Sequence, residues 1–341
     1  MQPLDRKGFG SLSRDTELLT PKGWMNITEV TMETLVAQYS IDGFITFAKP
    51  VCLNTKLTQK AIQLYNKGGH YNQIVAPHQI IPYVYLTKKA IKLKISKAET
   101  LKTNSTRRYL NTGIVSSKSN KGLTSREKLQ IVFQADGFFG YRGKKNDAIN
   151  FSFSRDRKID RFNSILKEAK IDYTVRYYGD KTHYYFKAPK DCYDKNFDWV
   201  DLSTVSLQWC RDFIEEVSHW DSHIFERPHF YCQYANIKKI AIDRVQAVAT
   251  LAGYRTCSSI QYDESNTQNT CYRLSILGNS KSIKGDVLVK NLIDYNDYMY
   301  QVITETGFLI IRRNNCVSIC GCRNYLYGED SVLRLYCNDL V

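Results

Sequence analysis

The sequence predicts an all-β domain interrupted by a duplicated α/β unit, and three observations carry that reading. Residues 11–95 alternate β-branched and aromatic side chains between Gly and Pro, as in "TLVAQYS", "IDGFITFAKP" and "QIIPYVYL", the texture of short strands and turns. Residues 284–322 return to that texture in "DVLVKNLI", "YMYQVITE", "GFLIIRRNN" and "VSICG". Between them, two stretches repeat one order of elements: helix, strand, helix, two strands. A recurring order marks a repeated structural unit. A β beginning and a β end around an α/β middle imply insertion of the middle into one β domain.

The first copy starts with a helix ending in "LQIVFQADG", Leu129 to Gly137. It continues through a strand "NFSFS", a helix "DRKIDRFNSILKEAKI" and strands "YTVRYYG" and "HYYFKA". The second runs from the helix "WCRDFIEEVSHWDS" through "HFYCQYA" and the helix "IKKIAIDRVQAVATLAGY" to "TCSSIQY" and "CYRLSIL". Both inner helices contain Ile-Asp-Arg, at 159–161 and 242–244. Ile159, Phe162, Ile165 and Leu166 in one, and Ile242, Val245, Val248 and Ala249 in the other, follow helical spacing. The region from Thr87 to Lys128 is strongly basic, with only Glu99 and Glu127 as acids. It reads as a linker over 96–122, either facing DNA or simply solvated.

Length and composition bound the function. With 341 residues and 43% hydrophobic content, two ordinary domains with real cores are expected. The excess of 48 Lys and Arg over 34 Asp and Glu gives +14, a footprint for a polyanion, nucleic acid first. A basic but uninvolved surface is the bland alternative. No uncharged apolar stretch has the length of a membrane span, and "MQPLDRKGFG" lacks the apolar core of a secretory leader. The ten cysteines are therefore expected as reduced, mostly buried thiols in the cytoplasm. Cys316, Cys320, Cys322 and Cys337 lack the paired spacing of zinc knuckles. His219 and His223 stand at helical spacing, but "HWDSH" lacks the general-base pattern of a zinc protease.

Several motifs in order resemble an intein: a Hint (hedgehog/intein) β domain, horseshoe-like, interrupted by a LAGLIDADG homing endonuclease with two pseudo-symmetric αββαββ-like halves. "SLSRDTELLTPKGWMNITEV" looks like the N-terminal splicing block, and "GGHYNQIVAPHQIIPY" like the second. "YMYQVITETGFLIIRRNNCVSICGC" looks like the C-terminal block. "LQIVFQADG" and "IEEVSHWDS" resemble the two LAGLIDADG helices, the second with Trp220-Asp221-Ser222 in place of Ala-Asp-Gly. The boundaries implied are flanks at 1–10 and 323–341, Hint segments at 11–95 and 284–322, and an endonuclease at 123–283. Its halves fall at about 123–190 and 205–280.

The resemblance implies that each motif helix delivers one carboxylate, Asp136 and Asp221, to a shared centre above the scissile phosphates. Two close carboxylates repel, and a bridging Mg²⁺ or Mn²⁺ relieves the repulsion while taking oxygen ligands and water. For Asp136 alone, a helix end capped by Gly137 is the plain alternative; Glu215 and Glu216 stand near Asp221 as other acids. The family also implies a basic residue near the water, for which Lys187 is the candidate. The strands are expected in the major groove of a duplex with a long specific site. Arg155, Arg157, Lys158, Arg176, Lys181, Lys238 and Lys239 are candidate contacts on a monomer with internal two-fold pseudosymmetry. In the splicing half, Ser11 takes the nucleophile's place and His78 that of the activating histidine, although Val75 stands where a Thr is expected. At the other end Cys322 occupies the place of the terminal Asn, and Asn324 comes two residues late. The expectation is a site-specific DNA endonuclease in a degenerate intein. The alternative is a self-splicing or self-cleaving intein with an inactive endonuclease.

Overall fold

The computed structural model describes residues 10–86, 91–139, 148–187, 195–226, 231–261, 270–278, 280–322 and 333–334. Its β domain is built on one long antiparallel pair. Strands Cys52–Tyr65 and Val289–Ile303 run in register from Cys52 opposite Ile303 to Tyr65 opposite Val289, with an irregularity between Asp294 and Asp297. Leu12–Ser13 and Asn72–Val75 close this pair into a small barrel. Residues near both ends of the chain thereby share one sheet, as an interrupted domain requires. A second sheet centres on Phe308–Arg313, flanked by Glu17–Thr20, Val36–Tyr39 and the returning strand Cys316–Gly321.

The stretch 96–122 is not a plain linker. Arg107–Leu110 is a strand between Ile80–Leu86 and Ser282–Lys284, and Ile114–Val115 pairs with Phe44–Ala48. Alternation decides this: Tyr109 and Leu110 are buried, and Tyr109 packs 6.1 Å from both Tyr71 and Tyr83. Arg107, in the same strand, lays its guanidinium over the Tyr83 ring at 4.3 Å. Arg107–Leu110 and Ser282–Lys284 flank the insertion and pair with each other, so they form its doorway.

The inserted unit repeats itself in space. The first half comprises α1 (Ser125–Asp136), strands Phe138–Phe139 and Ala148–Phe153, α2 (Asp156–Ala169), and strands Thr174–Tyr178 and Lys181–Lys187. The second comprises α3 (Leu207–Ser218), Ser222–Ile224, Tyr231–Asn236, α4 (Lys239–Leu251), Arg255–Gln261 and Cys271–Leu277. In both four-stranded sheets the spatial order is first, second, fourth, third. Local signals set the helices. Thr124 and Glu127 form a reciprocal capping box on α1, and the Ser206 hydroxyl caps α3. Phe162, Ile165 and Leu166 bury one face of α2 against Phe151, Phe153 and Tyr184. Helix α4 is buried on more sides because it is sandwiched between its sheet and the β domain.

Candidate active site

Helices α1 and α3 pack through Leu129, Val132 and Phe133 on one and Cys210, Phe213 and Ile214 on the other, all fully buried in one core. Glu127 adds a polar tie, accepting from Trp209 Nε1 at 2.9 Å. The C-terminal ends of both helices open on one cleft of about 490 Å³, and Asp136 and Asp221 both line it. Asp136 is the last residue of α1; Asp221 follows α3 by three residues and starts the turn into Ser222–Ile224. Gly137 does not act as a left-handed cap, since its φ is −79°. Its role is steric: a Cβ there would lie 2.3 Å from the Phe133 ring.

The electrostatics reflect the convergence. Burial pushes Asp221 up to about 6, the negative charge of Asp136 adds to the rise, and Lys158 and Lys195 oppose it. Lys158 donates to Asp136 Oδ2 at 2.5 Å and lies over the Trp220 ring at 5.8 Å. Lys195 donates to the carbonyls of Phe133 and Gln134 at 2.5 and 3.2 Å. Burial brings its ammonium down to about 8 against the pull of Asp221 and Asp136. Glu216 is not a free acid near the site. It is 1% exposed, binds Arg161, and accepts from Trp220 Nε1 at 2.9 Å.

Two oxygen donors from two carboxylates fit a hard divalent ion, and their mutual repulsion gives the site a use for one. Among the described residues no group of three or more His, Cys, Asp or Glu side chains is placed to hold a metal ion. Phosphate and water oxygens would complete such a shell, the usual mode for Mg²⁺.

The sequence candidate Lys187 does not meet this site. It ends its strand opposite Ala148, whereas the cleft is lined by Ser152 and Phe153 of that partner strand. At the rise of a strand the offset is about 14 to 17 Å. Among the DNA candidates, Arg155 and Lys158 line the cleft. Arg157 donates to the His219 carbonyl at 2.7 Å, and Arg176 stacks over Tyr185 at 5.5 Å. Lys181 is exposed opposite Tyr178, Lys238 donates to Asn196 at 3.1 Å, and Lys239 pairs with Asp243 at 2.7 Å. Sequence reasoning missed Lys195, which lies between the halves with no local motif. It also missed Arg273 and Gln233, visible only through strand register.

In the β domain, Ser11 and His78 line one cavity of about 770 Å³. The Ser11 carbonyl accepts from the Ala76 amide at 2.9 Å. Gly10 lies so close to Gln79 that a Cβ would come within 2.1 Å of Gln79 Oε1. Gln79 Nε2 in turn reaches Cys320 Sγ at 2.9 Å and the Gly321 carbonyl. The two ends of the 11–322 span therefore meet at Gln79, a residue the sequence reading passed over. Cys322 is buried, with its amide on the Gly307 carbonyl at 2.7 Å. Asn324 and Cys337 lie outside the described residues. The described cysteines are free thiols; Cys316 bonds the Gly69 carbonyl, while Cys320 sits by Gln79.

No family model matches the chain. It is similar to the ribonucleoside-diphosphate reductase subunit beta of Aquifex aeolicus (strain VF5), 29% identical over 353 aligned residues, covering 90% of this chain. The chain spans about half of that relative, 49% of its length. Among solved structures, the AceL NrdHF class 3 split intein aligns over 92% of this chain and 98% of its own, at 8% identity and a TM-score of 0.39. A mesophilic variant of the homing endonuclease I-DmoI aligns over 44% of this chain and 86% of its own, at 11% identity and 0.33. The N-terminal LAGLIDADG domain of DUF199/WhiA aligns over 47% and 79%, at 12% and 0.31. At these scores the three stand as resemblances only. No helix among the described residues is long and apolar enough to cross a membrane.

Proposed function

We propose that this chain is a site-specific double-strand DNA endonuclease of the LAGLIDADG kind, carried within a degenerate intein. One observation carries the reading: two carboxylates, one from the end of the first helix of each half of a repeated unit, line one open cleft. The chain's net charge of +14 supplies the attraction for a duplex. Asp136 and Asp221 would hold a divalent ion that, when bound, supplies Lewis acidity and an activated water. Lys158 orients the Asp136 carboxylate, and Lys195 places a second cation where negative charge gathers. The basic residues flanking the cleft position the backbone. The similarity to a ribonucleotide reductase β subunit supports such a gene as host.

The test is a plasmid carrying that host gene with the insertion removed. Wild type is expected to cut both strands in Mg²⁺ or Mn²⁺ and not in chelator. Asp136→Asn is expected to bind without cutting; undiminished cutting would remove Asp136 from the mechanism.

A second reading has its own support in the cavity shared by Ser11 and His78. There the chain would cleave itself at Gly10–Ser11, with Ser11 as nucleophile and His78 acting on the scissile amide. A cleaved product in wild type that disappears in Ser11→Ala, with no DNA cutting, would favour it.

A further inference from the structure

The seam between the β domain and the second half gathers positive charge, and among the described residues no carboxylate is paired with it. Arg108, in the doorway strand of the β domain, stands directly opposite the exposed Lys284. Arg255 opens its strand in the second half and donates to the Ser282 carbonyl at 3.1 Å. Its guanidinium is held below the usual range by burial and, against the nearby Cys257 thiol, by the charge of Arg108. His70, just before strand Asn72–Val75, is likewise held low by burial and by Arg255. Nε of Arg108, Nε of Arg255 and Nδ1 of His70 are all buried with no hydrogen-bond partner. Among the described residues no ion pair joins Arg108, Arg255 or Lys284 to a carboxylate.

Such an arrangement works against folding. Like charges directly opposite on neighbouring strands repel, and buried donors without acceptors cost free energy. Violations of this sort mark functional sites, and an anion is the ligand that unpaired guanidinium and ammonium groups would take. The register says which anion. Gln233 stands opposite Ser275, and Ser275 opposite Cys257, so all three share one face of the second sheet. Gln233 and Arg273 of that face line the cleft with Asp221, and Arg255 lies on it two residues before Cys257. Two strand spacings and two residues along the strand, about 12 Å, separate Gln233 of the cleft wall from Arg255 at the cationic edge. One duplex lying on this face spans both, carrying a phosphate charge every ~1.7 Å of its axis.

We propose that Arg108, Arg255, His70 and Lys284 form a phosphate clamp, by which the β domain and the second half together grip the backbone of the duplex lying in the cleft. This rests on the endonuclease reading. The splicing-type β domain then contributes to DNA affinity as well as framing the insertion.

The experiment measures duplex affinity of the full chain in chelator as a function of salt, with the host-gene duplex as probe. Removing two phosphate contacts in R108Q/R255Q is expected to flatten the log–log salt slope by about 1.8, and K284Q alone by about 0.9. R108K/R255K, which keeps both charges, is expected to retain the wild-type slope. Should R108Q/R255Q fail to fold, the exposed K284Q decides. Slopes equal to wild type in the folded variants would overturn the clamp and leave the nuclease reading standing. Stabilisation of wild type by inorganic phosphate with unchanged slopes would assign the site to a free anion, which also overturns it. Duplex binding without any cutting would sink the nuclease reading while the slopes still score the clamp. No duplex binding at all would remove both.

Discussion

In the first half Asp136 closes α1 with its carboxylate held by Lys158, whereas in the second Asp221 sits beyond α3, pushed up to about 6 by burial and its neighbour's charge. The duplicated tripeptide shows the same divergence. Arg161 of the first copy reaches across to the buried Glu216 of the second half. In the second copy Asp243 turns to Arg312 of the β domain, which is 1% exposed and also held by Glu17 and Gln246. Other ties run the same way: Gln246 to the Asn315 carbonyl and Thr112 to the Thr250 carbonyl. One repeated unit thus serves two ends. The first half holds its carboxylate beside a lysine in the cleft, and the second anchors the pair to the β domain.

The largest effect expected from this comparison is on chemistry. Asp136→Asn and Asp221→Asn should each lower cutting by on the order of 10²- to 10⁴-fold, read from single-turnover rates, with duplex affinity nearly unchanged. A large loss in only one of them would mean that the halves do not share the reaction. Next comes the anchor. Arg312→Met leaves Glu17 and Asp243 without their buried partner and should cost about 3 kcal/mol in urea unfolding. Lys239→Met, which removes only a part-exposed pair with Asp243, should change stability by about 0.5 kcal/mol or less.

A pH experiment sharpens the difference between the two carboxylates. The folded value for Asp221, about 6, exceeds the ordinary 3.8, so the folded metal-free chain binds more protons than the unfolded one in that window. The contribution of Asp221 to stability therefore falls as pH rises from about 4 to 6. Asp221→Asn should gain roughly 2 kcal/mol at pH 7 in chelator and lose that advantage in more acid solution. A stability difference independent of pH would contradict the assignment. The smallest effect is expected at Lys187. Its replacement by Ala should change cutting less than about twofold, while Lys195→Met should reduce it tenfold or more, a difference of about 1.4 kcal/mol in the barrier.

The architecture was largely readable because its signals are local. Alternation marked the strands, helical spacing marked α2 and α4, and the recurring order marked the duplication. Over 96–122 the density of Lys and Arg hides an alternation that buries Tyr109. At the site, the resemblance of "ADG" and "WDS" to the two motif helices singles out Asp136 and Asp221, and both line one cleft. What escaped depends on contacts between distant segments. Lys158 was legible as a cation but not as the partner of Asp136, 22 residues earlier. Lys195 has no periodic neighbour to flag it, and Gln79 gains meaning only when Gly10 and Gly321 converge on it. The side chains of His70, Arg108 and Arg255 come from three separate strands or turns, and only the fold unites them.

The most direct measurement is anomalous diffraction from crystals of the protein bound to its host-gene duplex and soaked in Mn²⁺. The account predicts a manganese peak touching the carboxylates of both Asp136 and Asp221, lost in Asp136→Asn. A peak at only one of them, or one that survives the substitution in place, would contradict it.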